Sequence, residues 1–139
     1  MYSLSLAVCN MNPTNKILIV DDEPLLLKML NAYLGRLGYQ VVAVISTEQA
    51  WEAVQAAPGS FAVAVLDATL QGLAMEDLAS RMLMADEKLC VIAASGYPVD
   101  VSRLQASAPG RVMFLQKPFT AEMLGKAVRR MIGTQEAGV

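Results

Sequence analysis

Apolar positions along this chain keep two rhythms that alternate. Short unbroken apolar runs give way to stretches in which apolar residues recur every three or four positions. Ile17 to Asp21 is a run that ends in acid, the pattern of a strand buried on both faces. Pro24 suits the first turn of a helix, and Leu26, Met29, Leu30, Tyr33, Leu34 and Leu37 follow at helical spacing until Gly38 stops them. Tyr39 to Ile45 is the second strand. Ser46 or Thr47 can cap a helix carrying Ala50, Trp51, Val54 and Ala57, closed by Pro58 and Gly59. Phe61 to Leu66 runs into Asp67, and after a loop a helix spans about Met75 to Met84. Leu89 to Ala94 forms a fourth strand ending at Ser95 and Gly96, followed by a weak helix over Val99 to Ser107. Arg111 to Gln116 is the fifth strand, ending at Lys117 and Pro118, and Thr120 caps a last helix to about Met131.

Five such β–α units with short connections predict one α/β domain over residues 15–132, a parallel sheet covered on both faces. Residues 1–14 are expected to be a flexible arm and residues 133–139 a frayed tail. The segment LAVC near the start weakly resembles a lipoprotein cleavage site. The apolar stretch before it is short, however, and carries no Lys or Arg, so an unprocessed chain is expected. No run reaches the roughly 20 apolar residues of a membrane span.

Composition narrows the chemistry. The chain is 55% hydrophobic and 17% charged, which makes it globular. A formal net charge of -2 offers no basic footprint for nucleic acid. With no histidine in the sequence, Ser–His and Cys–His nucleophile pairs and imidazole metal ligands are excluded. Cys9 and Cys90 do not make a disulfide framework; Cys90 reads as a small core residue, and a reducing cytoplasm is expected. The nine methionines read as core packing.

The candidate chemistry lies where the strands end. In open parallel sheets ligands gather at the carboxyl ends of the strands. There the first strand presents Asp21 and Asp22, the third Asp67, the fourth Ser95 and the fifth Lys117. At an effective dielectric near 20, two like charges about 4 Å apart cost on the order of 4 kcal/mol, and one lysine offsets only part of that. The surplus calls for a bound cation or for a carboxylate held protonated. An all-oxygen donor set favours a hard ion such as Mg2+. A carboxylate in such a site can attack phosphorus and become an aspartyl phosphate.

The segments ILIVDDEP, VAVLD, AASGYP and FLQKPF, in that order and spacing, resemble the receiver domain of two-component response regulators from about Lys16 to Met131. The resemblance implies a flavodoxin-like doubly wound sheet of order 2-1-3-4-5, the order for which the chemotaxis regulator is a standard illustration. It implies Asp67 as phosphoacceptor, with Lys117 contacting the phosphoryl group and Pro118 following a cis peptide. Mg2+ would be bound by Asp22 and Asp67, by Asp21 through water, and by the backbone carbonyl of Thr69. Ser95 and Phe114 would be the switch pair, with Thr69 and Tyr97 tuning phosphoryl lifetime. The implied partners are a sensor histidine kinase or histidine phosphotransfer protein and a downstream protein effector; no nucleic acid or membrane is implied, and a homodimer is compatible. It would be a regulatory phosphoacceptor rather than an enzyme with an external substrate. SGYP resembles segments of receivers attached to sensor kinases, so the chain reads as a stand-alone receiver or as one domain of a larger protein.

The sequence departs from the family after Asp67: Gln71 stands where proline is usual and Met75 near the usual glycine. That departure supports a second reading, a phosphorylation-independent interaction module with the same fold. A magnesium-dependent phosphatase on a similar sheet is a third, lacking any visible cap domain. Plainer roles also exist for each residue. Asp21 and Asp22 can cap a helix, Asp67 can be a strand-end acid and Lys117 a solvated cation. Ser95 can be a turn residue, Phe114 plain core, and Thr69 and Tyr97 surface.

Overall fold

A computed structural model describes residues 15–70 and 74–137, with side chains to residue 133. The expected arm over 1–14, Cys9, Gln71 and the last two residues lie outside the described residues. The order of elements is β1 (Lys16–Val20), α1 (Pro24–Arg36), β2 (Gln40–Val44), α2 (Thr47–Ala56), β3 (Val63–Asp67), α3 (Met75–Ala85), β4 (Cys90–Ser95), α4 (Ser102–Ser107), β5 (Val112–Gln116) and α5 (Ala121–Ala137). The strands form one parallel sheet of order β2-β1-β3-β4-β5, the expected doubly wound fold.

The two faces of the sheet bury separate cores. Ile17, Ile19, Val63, Val65, Cys90 and Ile92 pack under α1 and α5. Leu18, Val20, Ala64, Leu66, Val91 and Ala93 pack under α2 and α3, with Leu104 of α4. The alternation follows from the period of two in a strand. Because β1, β3 and β4 are covered on both sides, their runs show no polar break, and all of β3 and β4 is buried. The edge strand β2 carries a mixed pattern, with Gln40 and Ala43 exposed.

Capping sets most boundaries. Pro24 opens α1, and Gly38, at φ 101°, takes the left-handed conformation that closes it. Ser46, not Thr47, caps α2, accepting the Gln49 N–H at 3.1 Å, while Thr47 is itself buried. Thr120 accepts the Met123 N–H at 3.0 Å at the start of α5.

Four expectations change: first, the weak helix expected over Val99 to Ser107 begins only at Ser102. Along α1 it is Leu27, Leu30 and Leu34 that are buried, while Met29 and Leu37 are exposed. The sheet contacts a narrower stripe than the full apolar pattern offers. Of the methionines, Met75, Met82 and Met131 are core, but Met84 and Met123 are exposed. Finally, α5 continues past Met131 to Ala137. In that extension Gly133 disfavours helix most, by about 1 kcal/mol relative to alanine.

Candidate functional site

Register brings the strand ends level. Val20 pairs with Leu66, Asp67 with Ala94 and Ser95 with Gln116. The residues that follow or finish these strands therefore share one edge. Asp21, Asp22 and Asp67 each offer an oxygen to a group whose members all lie within 4.8 Å of one another. Asp21 and Asp67 are buried, and Asp22 faces solvent.

Lys117 reaches this group from the turn after β5. Its Nζ lies 2.7 Å from Asp21 Oδ2, 3.3 Å from Asp67 Oδ2 and 3.5 Å from Glu23 Oε1. Two backbone features hold it there. The Lys117 N–H donates to the Ser95 carbonyl at 2.8 Å, and the Lys117–Pro118 peptide is cis, as the family resemblance implies.

Each buried carboxylate is also tied locally. Asp21 Oδ1 accepts the Glu23 N–H at 3.0 Å. Asp67 Oδ1 accepts both the Thr69 N–H at 2.9 Å and the Thr69 hydroxyl at 2.7 Å. Both are turns in which an aspartate bonds the chain two residues on. Asp67 thus accepts three hydrogen bonds of the roughly four a carboxylate can take, which leaves one direction open.

Charge and burial oppose each other here. Burial pushes the Asp21 carboxyl above its ordinary value, against hydrogen bonds from Lys117 and Glu23 and the charge on Lys117 that pull it down; Asp67 adds to the rise. Burial alone would lower Lys117. The hydrogen bond to Asp21, the negative charges on Asp21 and Asp67 and the hydrogen bond to Asp67 outweigh it and hold Lys117 above its ordinary value.

The donor set fits a small hard cation. It is wholly oxygen, its anionic charge exceeds what one lysine offsets, and its 4.8 Å spread is close to the ~4.2 Å spanned by two opposed Mg–O bonds.

Ser95 is buried and its hydroxyl accepts the Tyr97 N–H at 3.0 Å. Tyr97 itself is exposed. Phe114 is half-buried and packs on the core beneath α2 and α3. Two site features escaped the sequence reading: the Thr69 hydroxyl bonded to Asp67, and Glu23 turned to Lys117. The Asp-x-Thr spacing of a local turn was the available signal for the first; for the second there was only a third acid beside Pro24.

A family model described as response regulator receiver domain matches residues 17–129. The chain is 32% identical over 103 residues to the response regulator GtcR of Aneurinibacillus migulanus, a match covering 74% of this chain and 41% of that protein. It is 29% identical over 110 residues to the DNA-binding transcriptional regulator NtrC of Rhizobium meliloti (strain 1021), covering 78% of this chain and 22% of that one. The chain therefore spans less than half the length of these curated relatives. A CheY-like receiver domain protein from Methanospirillum hungatei JF-1 shares the fold, with a TM-score of 0.78 at 21% identity, over 89% of this chain and 98% of that one. Motifs, topology and family match converge, and the chain belongs to the response regulator receiver domain family of two-component systems.

Proposed function

We propose that this receiver domain accepts a phosphoryl group from a phosphohistidine on a partner protein, with Asp67 as the acceptor. One observation carries the reading: a single lysine joins the buried carboxylates of two neighbouring strands, Asp21 and Asp67, beside a third acid, Asp22. These 139 residues contain no histidine, so the donor imidazole lies outside them, on a sensor histidine kinase or a histidine phosphotransfer protein.

In the transfer an Asp67 carboxylate oxygen attacks phosphorus and forms an O–P bond. The P–N bond breaks, its electron pair stays on the imidazole nitrogen, and the ring leaves as neutral imidazole because the donor reacts with a proton already on its other ring nitrogen. Lys117 meets negative charge on the transferring oxygens. Asp21, Asp22, Asp67 and the Thr69 carbonyl would hold Mg2+, which when bound supplies the positive charge that lets an anionic donor approach these acids.

The new group adds about -1.5 to -2 charge. Ser95 and Lys117 are drawn toward it, and Phe114 repacks into the space released. The face built from α4, β5 and α5 then changes its affinity for a downstream protein partner, a population shift sized by differential binding. Thr69, bonded to Asp67, and Tyr97, beside Ser95, tune how long the phosphoryl group survives. The role is regulatory, with no external substrate turned over, in the cytoplasm. No nucleic acid or membrane is engaged by residues 15–132, and among the described residues no helix is long and apolar enough to cross a membrane.

The test is incubation with acetyl phosphate and magnesium, followed by intact mass and amide resonances. Wild type should gain the mass of one phosphoryl group and shift the resonances of Ser95 and Phe114. An unmodified wild type, or an Asp67→Asn variant modified equally well, rejects the reading.

A further inference from the structure

We infer that Glu23 is a positioning and specificity residue of this site, a solvent-side carboxylate that restrains Lys117 and resists small anionic phosphodonors; the inference rests on the phosphoacceptor reading. An ammonium has three protons to donate. Here its three acidic neighbours are Asp21, Asp67 and Glu23. The first two are almost wholly enclosed, whereas the Glu23 side chain is 63% exposed. It is the member of the trio that an incoming donor meets first.

The backbone fixes that placement. Glu23 occupies the N-cap of α1, a position at which Ser, Thr, Asp or Asn would bond an N–H of the first turn. It makes no such bond, and its carboxylate lies 3.5 Å from Lys117 instead. Pro24 confines Glu23 to extended geometry, observed at φ -96° and ψ 105°. The Glu23 N–H is bonded to Asp21 Oδ1, so the residue is locked to the site from both sides.

An exposed ion pair at this distance contributes little to stability. Its consequence is electrostatic. Glu23 adds a fourth acid to an edge with one lysine, and like Asp22 it stands on the solvent side. A compact anionic donor must pass it, and Lys117 must leave it to follow the phosphoryl group inward. Removing the charge should therefore help a donor in proportion to that donor's own negative charge, and only while salt does not screen it.

The experiment compares wild type, Glu23→Gln and Glu23→Asp with two donors in magnesium buffer, acetyl phosphate and the less negatively charged phosphoramidate, at low and high ionic strength. For Glu23→Gln the expected rate with acetyl phosphate at low salt rises roughly threefold to tenfold. The gain with phosphoramidate is smaller, and both gains shrink at high salt. Glu23→Asp keeps the charge and should keep the discrimination between donors. Thermal unfolding of all three should coincide. Equal gains for both donors, gains indifferent to salt, or a Glu23→Gln rate no higher than wild type overturn the inference while leaving the phosphoacceptor reading intact. A wild type that takes phosphoryl from neither donor overturns both.

Discussion

Two cations at opposite ends of this sheet face opposite circumstances. At the amino end Arg111, just before β5, meets neutral oxygens: its Nε donates to the Leu89 carbonyl at 2.9 Å and its terminal nitrogen to the Leu83 carbonyl at 3.1 Å and to that of Asp86. Two of these carbonyls end α3, where the helix dipole already favours positive charge. At the carboxyl end Lys117 meets Asp21, Asp67 and Glu23, with Asp22 alongside. Arg111 satisfies the carbonyls around it and sets no like charges against each other. Lys117 leaves a surplus of negative charge that a cation or a proton must relieve. One end of the sheet is built to hold the chain together, and the other is held short of its electrostatic minimum.

The largest expected effect breaks the comparison at its chemical end. Asp67→Asn should abolish covalent phosphorylation completely, read by intact mass after acetyl phosphate, while the fold persists. Next comes Arg111→Ala. It strips three backbone carbonyls of a charged donor, and each such loss falls in the 1–3 kcal/mol class before solvent makes up part of it. A net destabilisation of about 2–3 kcal/mol follows, a fall of roughly 6–12 °C in Tm for a domain of this size. Phosphorylation well below the new midpoint should match wild type. If Arg111→Ala instead slowed phosphorylation with the fold intact, the division of labour between the two ends would be wrong.

The convergence of Asp21, Asp22, Asp67 and Lys117 was legible in the sequence because unbroken apolar runs mark strands buried on both faces. A parallel sheet delivers whatever terminates such runs to one edge. The order of strands followed from the motif resemblance, not from periodicity. Arg111 was not legible: an arginine at a strand start reads equally well as a solvated cation, and its acceptors are carbonyls, which every residue has. The direction of Glu23 was hidden for a related reason. A glutamate before Pro24 reads as a charge suited to a helix start, and its partner Lys117 comes from the far end of the chain. Met29 and Leu37 misled because helical spacing marks a stripe wider than the part the sheet covers. The loop departure at Gln71 lies outside the described residues.

Magnesium sharpens the contrast by acting on one end alone. At about 100 times its dissociation constant, an ion bound only by the folded state adds about 2.7 kcal/mol of stability. Chemical denaturation with and without chelator should show that gain in wild type and in Arg111→Ala alike. Asp22→Asn, which removes the solvent-facing member of the group, should lose most of it. An undiminished gain in Asp22→Asn would remove that residue from the cation site.

The smallest expected effect is the pH dependence of the metal-free protein, small because burial and Lys117 act on Asp21 in opposite directions. Asp21 is raised above its ordinary 3.8 by burial, so between 3.8 and its folded value the native state binds more protons than the unfolded one. Stability then falls as pH rises through that window and stays lowered above it. Lys117 is raised above 10.5, since bonding to Asp21 and the nearby carboxylates outweigh burial. Its contribution is complete below 10.5 and is lost as pH climbs through the folded value. The slopes share a sign and an origin, so Asp21→Asn should remove the acid-side slope and weaken the alkaline one together. Magnesium should reverse the acid-side slope in wild type, because the ion takes the ionised carboxylate and makes its proton the competitor. Urea titrations across pH, with and without magnesium, read both. An acid-side slope that survives Asp21→Asn would assign it to another carboxylate and detach Asp21 from the frustration that distinguishes this end of the sheet.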